Sequence, residues 1–168
     1  MLALNSDDYF EYFFAVAWAG GVFVPVNTRL APPEIAFWLE ASGTRVLLVE
    51  NRFLGTVAQI RGQLGSLEKI VNVGDEPAPE SSISYEGLVR VHAPAPDADR
   101  TGDDLAGLFY TGGTTGRSKG VMLSHRNLTV NALHIIGPLE WRHGDLTRLG
   151  SRSRVLHSGR CGTCGPGT

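Results

Sequence analysis

Residues Leu105–Asn127 read LAGLFYTGGTTGRSKGVMLSHRN, and the reading of the fold turns on this stretch. Two short apolar runs, Leu105–Tyr110 and Val121–Leu123, flank a glycine-rich segment and have the character of strands. Gly112, Gly113 and Gly116 leave the backbone free to turn its N–H groups toward one point. The hydroxyls of Thr111, Thr114 and Thr115 add donors, and Lys119 adds a compact positive charge. Many donors, little side-chain bulk and one cation suit a polyphosphate.

Other motifs fit the stretch less well. A Walker A loop needs glycine immediately before its lysine, and Ser118 stands there. The dinucleotide pattern G-x-G-x-x-G occurs nowhere in the chain. Gly116-Arg117-Ser118-Lys119-Gly120 does match the G-x-S-x-G nucleophile elbow. That elbow runs from strand directly into helix, whereas Ser118 follows a loop and precedes a strand-like run. Its acid and histidine partners would have to be Asp145 and His143 or His157, in a tail of unusual composition.

Outward from this segment, helix and strand patterns alternate. Met1–Leu4 reads as the end of a strand. Ser6 reads as an N-cap, with Asp7 and Asp8 in the first turn. Phe10, Phe13, Phe14, Ala17 and Trp18 are the expected buried face of that helix, which Gly20-Gly21 ends. Val22–Val26 is expected as a strand. Pro32-Pro33 opens a second helix, with Ile35, Trp38 and Leu39 as its apolar stripe. Arg45–Glu50 and Lys69–Val73 are expected strands, and Phe53–Leu64 a helix between them. Polar loops surround an amphipathic stretch, Tyr85–Val91. Ser124 caps a last helix running to Ile136, lined by Leu128, Ala132 and Ile135 or Ile136. This alternation predicts an α/β domain with a largely parallel sheet and flanking helices.

Composition bounds the function. The chain has 168 residues, 42% apolar and 19% charged, enough for one domain with a core. The net charge of −2 carries no basic surplus of the kind that marks a nucleic-acid protein. Met1 is not followed by a charged stretch leading into an apolar signal core, and no apolar run approaches the roughly 20 residues of a membrane span, so classical secretion and membrane insertion are not expected. Two cysteines make no disulfide framework, and a cytoplasmic location is expected. Residues 1–100 carry 13 acidic and 7 basic residues, whereas 101–168 carry 4 and 8. Residues 142–168 hold five arginines, six glycines and both cysteines, with no alanine, isoleucine, phenylalanine, lysine or glutamate.

The run YTGGTTGRSKGVMLSHRN closely resembles the phosphate-binding signature of the AMP-forming acyl-adenylate enzymes: acyl-CoA synthetases, aryl-CoA ligases, luciferases and adenylation domains. Gly112 replaces the usual serine and Ser118 the usual proline, which costs one hydroxyl and loosens the loop. Asn5–Leu30, NSDDYFEYFFAVAWAGGVFVPVNTRL, is similar to the family's first core segment. The turn Asn27-Thr28-Arg29 reads as a lead into a helix rather than a substrate contact. The resemblance covers residues 1–141, the early part of a much longer family fold.

The resemblance implies ATP-dependent activation of a small carboxylic acid, fatty or aryl, to an acyl-adenylate, followed by thioester formation with coenzyme A. It implies that Thr111, Gly112, Gly113, Thr114, Thr115, Gly116 and Lys119 form the polyphosphate loop, with Lys119 the catalytic cation. Magnesium is implied with ATP, but no metal ligand is assigned. Arg117 reads as a solvated loop residue, and His125 as a first-turn helix residue rather than a site group. The family's adenine, ribose, metal and lid positions have no match here. Residues 1–145 are therefore expected to be part of an AMP-binding N-terminal domain. Residues 146–168 are expected to be an atypical tail, disordered or translated from a shifted frame. A zinc site at Cys161, Cys164 and His157, or nucleic-acid binding by the arginines, finds thin support. The chain by itself is expected to be a truncated, inactive piece of such an acyl-CoA synthetase; the alternatives are a non-catalytic fragment or pseudogene product with at most weak phosphate binding, and an adenylation domain of another acyl-adenylate enzyme.

Overall fold

The computed structural model describes residues 1–74, 77–79, 82–111 and 118–136. Ser6 caps the first helix, α1 (Asp7–Trp18), by accepting the Tyr9 N–H at 3.2 Å. The buried face of α1 differs from the expected one. Tyr12 is buried, with Tyr9 and Phe13 packed half-buried beside it. Phe10 is exposed, and Phe14 and Trp18 are 64% and 53% exposed. Aromatics lie on several sides of this helix, so composition does not set its rotation. A polar contact does: the Tyr12 hydroxyl accepts the buried Val24 N–H at 2.8 Å.

The second helix, α2 (Pro32–Ala41), begins with its two prolines, and Glu34 accepts the Ala31 N–H at 3.0 Å. It buries Ile35, Ala36, Trp38 and Leu39. Next come β1 (Val46–Glu50), α3 (Leu54–Ile60) and β2 (Lys69–Val73). The expected single helix from Phe53 to Leu64 is instead α3 between two 3₁₀ turns, Asn51–Phe53 and Arg61–Gln63. Gly55 and Gly62 lower the helical propensity of this segment. A two-residue β3 (Ile83–Ser84) leads into α4 (Tyr85–Val91). β4 (Leu105–Thr111), β5 (Lys119–Ser124) and α5 (His125–Ile136) complete the described chain.

Strands β1, β2 and β3 pair in parallel in that order, while β4 and β5 form a separate antiparallel pair. The connection 112–118 is far shorter than the dozen or so residues a parallel crossover needs. Extended backbone links the two sheets. Leu2 bridges Val49 in parallel and exchanges hydrogen bonds with Leu48 and Glu50 at 2.8 and 3.1 Å. The Met1 nitrogen donates to the Val24 carbonyl at 2.8 Å, and the Val26 N–H donates to the Met1 carbonyl at 3.0 Å. Phe23 bridges Gly107 in parallel, bonding Ala106 and Leu108. The ladder therefore runs β3, β2, β1, Leu2, Phe23–Val26, β4, β5. The expected strand Val22–Val26 is reduced to these contacts, since Pro25 has no N–H to donate.

One apolar cluster joins Leu2, Leu47 and Val49 to α2 and α3. A second joins Met1, Tyr12, Phe23, Val73 and Ala106. No described residue after Gly107 is buried.

Candidate functional site

The glycine-rich segment connects β4 to β5 in sequence. Thr111 and Lys119 face each other in register as the last pair of the ladder. The Thr111 hydroxyl donates to the Lys119 carbonyl at 3.4 Å. Both residues are exposed, and among the described residues Lys119 forms no ion pair. Of the sequence-predicted loop, the structure thus brings Thr111 and Lys119 together at its mouth. Gly112, Gly113, Thr114, Thr115 and Gly116, with Arg117, lie outside the described residues.

The base of the loop is anchored by Tyr110. Its ring stacks on Trp38 of α2, with centroids 4.9 Å apart and planes 18° from parallel. Burial raises the Tyr110 phenol's pKa above its ordinary value. Opposite Tyr110 in the ladder stands Gly120. A Cβ there would lie 3.3 Å from the Tyr110 ring, so the missing side chain leaves room for the stack. Sequence reasoning missed Tyr110, Gly120 and Trp38 as supports of the loop. The signal for Gly120 is its register position across a short hairpin. Trp38 carries no such signal, because its contact with Tyr110 spans distant parts of the chain.

A cavity of about 290 Å³ opens beside this anchor, walled by Tyr9, Trp38, Phe109 and Tyr110 and by the segment Pro25–Asn27 with Leu30. Asn27 folds the turn expected of it: its side-chain oxygen accepts the Arg29 N–H at 2.9 Å and its carbonyl accepts the Leu30 N–H at 3.3 Å.

His125 sits at the other end of the hairpin. Ser124 pairs with Leu105, and five residue rises, about 17 Å, separate Ser124, the residue before His125, from Lys119. Its N–H donates to the Asp104 carbonyl at 3.1 Å, and it lines a different cavity with Arg100 and Arg126. It is a first-turn residue of α5, as the sequence predicts, and stands apart from the loop.

The donor set at the hairpin mouth, an exposed ammonium beside a hydroxyl, fits an anionic oxygen cluster such as a polyphosphate. It does not fit a metal. Residues 105–127 contain no carboxylate. Among the described residues no group of three or more His, Cys, Asp and Glu could hold an ion. Cys161, Cys164 and His157 lie outside the described residues. No helix among the described residues is long and apolar enough to cross a membrane.

The described residues form part of an α/β domain in which two antiparallel strands flank a glycine- and threonine-rich segment. The family model described as AMP-binding enzyme matches residues 1–158, and the chain belongs to that family. It is 40% identical over 133 residues to a long-chain-fatty-acid–CoA ligase of Thermus thermophilus, covering 79% of this chain and 24% of that protein. The crystal structure of the anthranilate CoA ligase AuaEII in complex with anthranoyl-AMP matches with a TM-score of 0.74 and 34% identity, over 79% of this chain and 26% of that one. ATP-bound MatB from Rhodopseudomonas palustris matches with a TM-score of 0.63 and 29% identity, over 79% and 25%. The chain thus spans about a quarter of the length of the relatives it matches. The described α/β architecture is that of the N-terminal part of acyl-CoA ligases.

Proposed function

We propose that residues 105–124 form the polyphosphate-binding wall of an AMP-forming carboxylate–CoA ligase. The carrying observation is the pairing of Thr111 with Lys119 at the mouth of a hairpin fixed by the Tyr110–Trp38 stack. In this reaction a carboxylate oxygen bonds to the α-phosphorus of ATP. The bond from that phosphorus to the bridging oxygen breaks, and pyrophosphate leaves with the electron pair. The coenzyme A thiol then gives up its proton, its sulfur attacks the acyl carbon, and AMP departs.

Negative charge grows on the leaving pyrophosphate. A cation and donors already in place stabilise that charge without reorganising. Lys119 supplies the cation, Thr111 a hydroxyl, and Gly112, Gly113, Thr114, Thr115 and Gly116 the backbone and hydroxyl donors between them. Lys119 touches the reacting phosphates in this reading and is its catalytic residue. Magnesium, when bound with ATP, neutralises further phosphate charge. The described residues offer it no ligand. The acid is a fatty or aryl carboxylate, and the cytoplasm supplies both ATP and coenzyme A.

The test joins residues 1–136 to the remaining three quarters of the Thermus thermophilus relative and measures pyrophosphate release with a panel of fatty and aryl acids. Lys119→Ala should slow release by ~10²-fold, the scale for removing one charge-stabilising group. Release at the parent rate in that variant would remove the loop from the chemistry.

A further inference from the structure

The geometry points to a second copy of this chain as the partner of α1, packed antiparallel on the helix's exposed aromatic stripe about a two-fold axis at Phe14. The contact lies on α1 and does not depend on the chemistry proposed for the loop.

While α1 buries Tyr12, it turns a second set of apolar side chains to water. Phe10, Phe14 and Trp18 are 39%, 64% and 53% exposed, and Ala15 is exposed beside them. Their i, i+4, i+8 spacing sets the three rings in one row along the helix, over about 12 Å. A contiguous apolar row facing water marks a contact surface. The row is also ordered in advance. The Phe10 and Phe14 rings pack together with centroids 4.9 Å apart. The Trp18 indole N–H donates to the Ala95 carbonyl at 2.9 Å, and the Trp18 carbonyl accepts the Ala98 N–H at 2.9 Å. The indole is thus fixed in place while half exposed. Aromatic side chains fixed beforehand lose little rotamer freedom on association, and tryptophan is prominent among the residues that anchor interfaces.

The stripe is complementary to itself. Phe10 and Trp18 each lie four residues from Phe14. A two-fold axis at Phe14 therefore sets Phe10 against the partner's Trp18, Trp18 against the partner's Phe10, and Phe14 against its own copy. Such an interface is isologous, with the same patch on both subunits. Ala15 leaves room beside Phe14 for the partner's ring. Charge then selects the antiparallel direction. Asp7 is exposed at the N-terminal end of α1. At the C-terminal end Arg100 lies against Gly20, its Nε 3.4 Å from where a Gly20 Cβ would stand, with its side chain 53% exposed. The axis carries Asp7 to the level of the partner's Gly21, beside the partner's Arg100, and does so at both ends. The Arg100 contact with Asp104 is long, at 3.8 Å, and a guanidinium has five N–H donors to share with a second carboxylate. Antiparallel packing also brings opposite ends of the two helix dipoles together. A parallel pair would set Asp7 against Asp7 and Arg100 against Arg100. Asp7 and Glu11, both exposed along the stripe, tell against an anionic lipid surface as its occupant.

The test is the oligomeric state of the full 168-residue chain, measured by sedimentation over a range of concentrations. A dimer that dissociates on dilution is expected. Phe14→Asp sets two carboxylates together on the axis and should raise the dissociation constant about ten-fold or more. Its circular dichroism should match that of the dilute parent, since the Phe14 side chain already faces water. Asp7→Arg and Arg100→Asp should each weaken the dimer about ten-fold, because each sets like charges together at both ends. Mixing these two single variants should restore dimers, as each finds the opposite charge only in the other. That restoration is a readout that damage within one chain would not give. A chain that stays monomeric at every concentration overturns the inference. So does an assembly of any size that Phe14→Asp leaves intact, or a pair of charge variants that mixing does not restore. A dimer that Met122→Asp disrupts and Phe14→Asp does not would place the contact on β5 and overturn it as well.

Discussion

The Met1 nitrogen offers a measurement whose size follows from the structure. In a chain that begins at Met1 this nitrogen is an ammonium, buried against the Val24 carbonyl at 2.8 Å. Burial disfavours the charged form and lowers its pKa from 8.0 to about 5. Between pH 5 and pH 8 the unfolded chain therefore binds more protons here than the folded one. Stability must rise with pH through that window, because ∂ΔG/∂pH of unfolding has the sign of the extra protons on the unfolded state. The full span corresponds to about 4 kcal/mol, at about 1.4 kcal/mol per pH unit, and roughly a third of it is still missing at pH 7. The assay is urea unfolding at pH 5.5, 6.5 and 8, followed by fluorescence of the buried Trp38. A second protein with two residues placed before Met1 turns the ammonium into an amide, which keeps the N–H donor and removes the titration. The extended protein should be the more stable of the two below pH 8, and its stability should change much less over the window. Equal slopes in the two proteins would refute the reasoning, because the pH dependence would then belong to other groups.

Substitutions at three positions test the packing that carries the site. A Cβ at Gly107 would lie 2.8 and 2.9 Å from Cδ2 and Cζ of the buried Phe23 ring, which Tyr12, Phe13 and Phe109 hold edge-on. Gly107→Ala should cost about 1–3 kcal/mol by overpacking, read as a lower urea midpoint with unchanged slope. Tyr12→Phe strands the buried Val24 N–H and should cost about 1–3 kcal/mol; an unchanged midpoint would show that water reaches that amide. The Trp38 Nε1 donor is buried without a partner among the described residues. Trp38→Phe should therefore stay within about 1.5 kcal/mol of the parent, by thermal melting, whereas Trp38→Ala should cost about 3–5 kcal/mol.

How much of this was legible in the sequence depended on the range of the interaction. The strands flanking the loop were legible because their pattern is local: two apolar runs on either side of the glycines and threonines. Thr111 and Lys119 meet because a short connection forces the two strands into a hairpin. The capping of α1 by Ser6 and the proline start of α2 are local in the same way. The rotation of α1 was not legible. Six of the chain's 14 aromatics lie between Tyr9 and Trp18, and the choice among them rests on a hydrogen bond to Val24, beyond the helix end. The Tyr110–Trp38 stack was invisible for the same reason, since no spacing rule links residues of α2 to the end of β4.

That division bears on how the loop acquires its stiffness. A glycine-rich segment has no preferred shape of its own, so whatever preorganises it must come from its frame. On the inner side the frame is distant in sequence and present in the structure: Trp38 under Tyr110, Phe23 on Gly107, and Met1 tied to Val24. On the outer side β5 has one strand partner among the described residues and four exposed residues in a row. The two ends of the loop are therefore held unequally, Thr111 through a packed core and Lys119 through a single hairpin ladder. Amide exchange at Lys119 and Gly120 should therefore be faster than at Gly107 and Leu108, which the ladder ties to the buried Phe23. Equal exchange at the two strands would mean that the hairpin moves as one body and that its two sides are held alike.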